Sequence, residues 1–118
     1  MKALILIAHG SKKEESNEEF RELVNTIKSN DINKYETIET AFLEFVEPSI
    51  EDIAERLYKE GIQEITFYPY FLNSGKHVVI DIPNIMESLK LRYPKMKFIQ
   101  LPHFGLSKKI ASIILEEI

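Results

Sequence analysis

Four short apolar runs, each followed by a segment whose apolar residues recur at helical spacing, constrain this chain more than any other feature. Residues 3–8 form a continuous apolar run of strand length, the kind that both faces of a parallel sheet bury. A polar loop from His9 to Lys13 follows. Phe20, Leu23, Val24 and Ile27 then predict an amphipathic helix over about 15–29. Ile38 to Leu43 reads as a second strand. Pro48 opens a second helix with Ile50, Ile53, Ala54, Leu57 and Tyr58 on one stripe and Gly61 as its stop. Ile62 to Tyr68 reads as the third strand, ending at Pro69. After a loop from Tyr70 to Lys76 comes a helix near 79–91, with Ile82, Ile85, Met86 and Leu89 inward. Lys97 to Leu101 is a short fourth strand, and Ser107 is placed to cap a last helix carrying Ile110, Ile113, Ile114 and Ile118. Strand–helix alternation of this kind predicts an α/β fold: a four-stranded parallel sheet with helices on both faces and right-handed connections.

The 118 residues fit a single domain spanning 1–118. With 44% hydrophobic and 29% charged residues, a soluble globular domain is expected. A domain this small has little depth for a large cleft, so part of any large binding site is expected from a partner chain. The absence of cysteine excludes disulfides, thiolate metal sites and cysteine nucleophiles, and is compatible with a reducing cytosol. The first apolar run is too short for a secretory segment or a membrane span, so the expected location is cytoplasmic, with no membrane partner. A net charge of −4 argues against a nucleic-acid partner.

Ligands of parallel sheets collect where the loops leave the carboxyl ends of the strands. His9 follows the first strand, Glu44 the second, and His77 the loop after the third. Two imidazoles and a carboxylate on one rim can bind a divalent cation such as cobalt, nickel, iron or zinc. Imidazoles also take up protons near neutral pH. Each residue alone has an ordinary reading: a histidine satisfied in a loop, or, for Glu44, an anion favouring the start of the helix after Pro48. Their shared rim is what raises the functional reading. His103 also follows a strand, but has no role in this pattern and reads as structural.

Three blocks in order resemble the small sirohydrochlorin chelatases, the short CbiX type that includes cobalto- and nickelochelatases. They are Ala8-His9-Gly10-Ser11, then Ala41-Phe42-Leu43-Glu44-Phe45-Val46-Glu47-Pro48, then Tyr68-Pro69-Tyr70-Phe71-Leu72-Asn73-Ser74-Gly75-Lys76-His77 with Asp81-Ile82-Pro83. The resemblance implies a flavodoxin-like chelatase fold, and a homodimer in which two copies make the cleft that longer relatives build from one chain. It implies a lyase that inserts a divalent metal, cobalt or nickel, into a sirohydrochlorin-type tetrapyrrole with release of two protons. That reaction belongs to cobalamin or related tetrapyrrole biosynthesis, with ferrous iron for siroheme as an alternative. No prosthetic group is implied; the metal is a substrate. His9 and His77 match the metal-ligating histidines, and Glu44 matches the acidic residue facing the tetrapyrrole; the catalytic proton acceptor is one imidazole, His9 being a candidate, or Glu44 through water. Leu72, Asn73, Ser74, Gly75 and Lys76 match the loop along the macrocycle. Gly75 would let the backbone approach a flat ring, while Lys12, Lys76, Ser74 and exposed amides would meet the ring's carboxylate arms. Lys12 stands where many relatives carry arginine, which turns a bidentate contact into a point charge. The histidine-rich insertion of some archaeal members is missing.

Two other readings compete. Histidine phosphatases carry arginine immediately before the histidine of His-Gly, whereas Ala8 stands here. A binding module that carries a tetrapyrrole or a metal without turnover would use the same residues, and multiple turnover separates it from an enzyme.

Overall fold

In the computed structural model, which describes residues 1–31 and 34–118, Lys2–Ala8 forms β1 at the interior of a four-stranded sheet. Thr37–Phe42 (β2) pairs with one edge of β1 and Glu64–Pro69 (β3) with the other, and Lys97–Gln100 (β4) extends the sheet beyond β3. Every pairing is parallel, in the order β2-β1-β3-β4. Because β1 has a strand at each edge and its side chains alternate between faces, both sets of residues must be apolar. Ala3, Ile5 and Ile7 join one core, and Leu4, Leu6 and Ala8 the other.

Strand order also dictates the faces. The chain moves one way from β1 to β2 and the opposite way from β2 through β3 to β4, so right-handed crossovers put the first helix on one face and the next two on the other. The cores agree. Phe20 and Val24 of α1 (Glu14–Asn30) pack on Leu6, Ile38 and Phe42. Ile53 and Leu57 of α2 (Ile50–Lys59), with Ile82, Met86 and Leu89 of α3 (Ile82–Arg92), pack on Ile5, Ile7, Ile65 and Phe67. Ile85 is partly buried against the same core.

Several local expectations need correction. Pro48 precedes α2 rather than opening it; Ser49 is the cap, its Oγ accepting the Asp52 N–H at 3.1 Å. Tyr58 is half exposed and rests beside Tyr93, because the turn that buries Leu57 carries its neighbour to the flank of the stripe. β2 ends at Phe42 and β4 at Gln100, while β3 begins only at Glu64. The third helix is preceded by a wide π-helical turn, His77–Asp81. Ser107 caps a turn, accepting the Lys109 N–H at 3.2 Å, and α4 starts at Ile110 and runs to Glu117. Its isoleucines do not reach the core: no residue of α4 is buried. Among the described residues no helix is long and apolar enough to cross a membrane.

Candidate active site

The loop after β1 is shaped by backbone contact with the loop after β2. The Leu43 N–H donates to the Ala8 carbonyl at 3.1 Å and the Glu44 N–H to that of His9 at 2.9 Å. Gly10 has φ +91°, and a β-carbon there would lie 2.0 Å from the Glu44 carbonyl oxygen. Glycine is therefore required by both conformation and space. Phe45, at φ +68°, centres a tight turn closed by the Val46 N–H on the Glu44 carbonyl at 2.8 Å. A phenylalanine in the left-handed region is strained, and such strain gathers at sites that must aim side chains. Here it presents Glu44 and Phe45 to His9.

Buried Asn17 of α1 ties the same loop down. Its Oδ1 accepts the Ser11 N–H at 2.9 Å, and its Nδ2 donates to the Ser11 carbonyl at 2.8 Å and to Glu14 Oε1 at 3.0 Å. That amide and then Arg21 hold the Glu14 carboxyl below its ordinary range. Sequence reading missed Asn17; a polar residue three positions before Phe20, on the apolar side of a helix, is the signal that marks it.

The three rim residues come together. His9 Nδ1–H donates to the Gly10 carbonyl at 2.9 Å, which leaves Nε2 facing Glu44 Oε2 at 3.0 Å. The rings of His9 and His77 stand with centroids 4.5 Å apart and planes inclined by 52°. His77 Nδ1 is 2.7 Å from Asp81 Oδ2, four residues on across the π-helical turn. The carboxylate accepts the Nδ1 proton and leaves the Nε2 lone pair free in the neutral ring, as partners of metal-binding histidines do. In the sequence Asp81 stands within the block that carries the family resemblance, with no role of its own. Its spacing from His77, one turn of a helix, is the available signal. Phe45 and Phe71 flank the pair, with ring centroids 5.9 Å from His9 and 6.5 Å from His77 respectively.

His77 borders two hollows. One, of about 460 Å³, is walled largely by aromatic and aliphatic groups including Tyr70, Phe71, Leu72, Val78 and Phe104. The other, of about 280 Å³, is lined by Glu44, Asp81 and Asn84 together with His77. Of the loop 72–76, Leu72, Asn73 and Gly75 line the first hollow, and the space above Gly75 is open. Ser74 does not line it; its Oγ lies 3.3 Å from Nε2 of buried His103. Lys76 lies 3.7 Å from Asp81, and the Lys12 ammonium 5.3 Å from the centre of the Phe45 ring. Gly105, beyond β4, packs so closely on the loop that a β-carbon would sit 1.7 Å from the Leu72 carbonyl oxygen.

Among the described residues no three histidine, aspartate or glutamate side chains cluster closely enough to enclose an ion unaided. Two imidazoles with an open remainder suit an ion in transit better than a resident one, since structural sites are closed by four ligands.

The CbiX family model matches residues 3–118. A sirohydrochlorin cobaltochelatase of Sulfolobus acidocaldarius is 32% identical over 117 residues, covering 99% of this chain and 89% of that protein. One from Priestia megaterium is 29% identical over 114 residues, covering 97% of this chain but 36% of its own length. This chain thus matches less than two thirds of the length of several relatives. Proteins named sirohydrochlorin ferrochelatase match over essentially the same region. Among solved structures, a cobalamin biosynthesis CbiX protein from Marinobacter aquaeolei VT8 superposes with a TM-score of 0.84 at 26% identity, covering 99% of this chain and 93% of that one.

Proposed function

This chain belongs to the CbiX family, and from that premise we propose that it is a lyase-class chelatase inserting a divalent metal into sirohydrochlorin. The observation that carries the reading is the pair of imidazoles, 4.5 Å between centroids, beside an aromatic-walled hollow. The flat ring lies in that hollow. The ion starts on Nε2 of His9 and of His77 and passes to the pyrrole nitrogens. Two imidazole lone pairs are vacated and two pyrrole protons must leave, so the exchange balances. Glu44 beside His9 and Asp81 beside His77 stabilise the imidazolium each ring becomes.

Cobalt is assigned first because relatives over nearly the full chain are named for it; ferrous iron is the second reading, supported by the relatives named as ferrochelatases. Nickel suits imidazole equally well. The residues 1–118 act as one domain, paired with a second copy whose site faces the other side of the ring. Support comes from the openness of the aromatic hollow and from longer relatives in which this chain's length is matched by half or less of theirs. The pathway is cobalamin or related tetrapyrrole synthesis in the cytoplasm. With sirohydrochlorin and Co²⁺ in excess, the absorption change should continue through many equivalents per site. A single equivalent would make the protein a carrier instead.

A further inference from the structure

His103 is the third histidine of the chain and the one that the two-imidazole site leaves unused. It follows β4 and is 6% exposed, so its ring is largely withdrawn from water. A buried imidazole is costly unless its nitrogens find partners. Among the described residues its side-chain partner is Ser74, whose Oγ lies 3.3 Å from Nε2 although it stands 29 residues earlier. Ser74 belongs to the loop between β3 and His77, the loop that walls the aromatic hollow.

The segment 103–105 grips that loop at three points. The Gly105 N–H donates to the Phe71 carbonyl at 2.9 Å. Gly105 also lies against Leu72, so closely that a β-carbon would stand 1.7 Å from the Leu72 carbonyl oxygen. These two contacts fix the loop's entry. Its exit is fixed where the Gly75 carbonyl accepts the N–H groups of Val78 and Val79 at 3.1 and 3.0 Å. His103 takes the middle, through Ser74. The loop divides its residues accordingly: Leu72, Asn73 and Gly75 line the hollow, and Ser74 does not. Turning Ser74 back onto His103 leaves its neighbours facing forward.

We infer that His103 is a positioning residue for the tetrapyrrole, holding the middle of the loop through Ser74 so that Asn73 and Gly75 form a fixed wall of the hollow. The substrate in this inference rests on the chelatase reading; the latch itself rests on geometry. A wall already in place needs no ordering when a flat ring arrives, whereas a loose loop loses its freedom at that moment. The hydroxyl can donate to a bare Nε2 or accept from an Nε2–H, so the latch closes with either tautomer of the imidazole. His77 is held separately, by Asp81 at 2.7 Å on its own turn. Opening the latch therefore weakens tetrapyrrole binding and leaves the metal ligands in place.

The test compares Ser74→Ala, His103→Leu, His103→Gln and the double variant Ser74→Ala, His103→Leu. Leucine fills the space without a hydrogen-bonding group, while glutamine brings an amide to nearly the reach of Nε2. Two quantities are read: hydrogen exchange of the amides of residues 72–76 in the free protein, and KM for sirohydrochlorin beside kcat and Co²⁺ affinity. Ser74→Ala and His103→Leu are each expected to speed exchange across the loop and to raise KM by about 3- to 10-fold, the loss of one hydrogen bond. The kcat and the Co²⁺ affinity are expected to change little. His103→Gln is expected to return both quantities toward the parent, and the double variant to be no worse than either single one. KM increases that multiply in the double variant would mean that Ser74 meets the ring by itself, and would overturn the inference. So would a glutamine variant no better than leucine, or unchanged loop exchange in Ser74→Ala. Ser74 lies on an exposed loop, so this last variant decides the matter even if His103→Leu does not fold. A parent protein without insertion activity would remove the chelatase reading instead, and loop exchange would still decide the latch.

Discussion

Asp81 holds Nδ1 of His77 at 2.7 Å across a single wide turn, and that contact decides which nitrogen of the ring is free. An aspartate accepts only, so the Nδ1 proton is fixed and Nε2 is left to a metal. Asp81→Asn keeps the shape but offers the ring an amide that has no preference between its nitrogens. The expected result is a loss of about 10- to 100-fold in metal affinity or insertion rate, the range for outer-shell partners. Titration with Co²⁺ checks it, with unfolding measured in parallel to show stability unchanged.

The contact between Glu44 and His9 is of a different kind. Nδ1 of His9 is committed to the Gly10 carbonyl, so Nε2, 3.0 Å from the carboxylate, is the nitrogen left to pass a proton to Glu44 or to hold a metal. Metal on Nε2 and a proton on Nε2 exclude each other. Glu44→Gln is therefore expected to leave cobalt binding within a few-fold of the parent while lowering the insertion rate by about 10²-fold, the lower range for proton-transfer groups. Equilibrium binding and initial rates, measured on the same preparation, separate the two effects.

Two glycines bring loops into contact that no side chain would allow. Gly10→Ala drives a β-carbon into the Glu44 carbonyl from a backbone conformation alanine avoids. It is expected to cost at least about 2 kcal/mol of stability. Gly105→Ala is expected to displace the Leu72 loop from the aromatic hollow, raising KM for the tetrapyrrole more than it lowers kcat. Thermal unfolding tests the first and steady-state kinetics the second.

Asn17 is buried and pairs with both the N–H and the carbonyl of Ser11. Asn17→Ala leaves two backbone groups without partners, at about 1–3 kcal/mol for each that water cannot reach. Denaturant unfolding is expected to show that loss. Added Co²⁺ is expected to restore less stability than in the parent, because the loop carrying His9 is loosened.

The run Ala3–Ala8 is apolar because β1 is flanked and covered, and so the interior strand was legible in the sequence. So was the rim, since parallel strands send His9, Glu44 and the loop before His77 to one end. Side-chain partnerships were not. Nothing in the spacing of Asn17 says that it bonds Ser11, and Phe45 reads as an apolar residue until its backbone turn aims it at His9. Helical periodicity foretold an apolar stripe on α4, but it could not say that no residue of this helix is buried in the fold. Nor does the sequence say that Ser74 lies beside His103, or Lys76 beside Asp81, because a loop's direction depends on what lies behind it.

The most direct measurement is the initial rate of the sirohydrochlorin absorption change on addition of Co²⁺, compared between the parent protein and the double variant His9→Ala, His77→Ala. The expected rate for the variant is that of the uncatalysed reaction, with each single substitution already removing most of the activity because the two imidazoles act as one unit. A double variant that inserts cobalt within a few-fold of the parent rate would contradict the account.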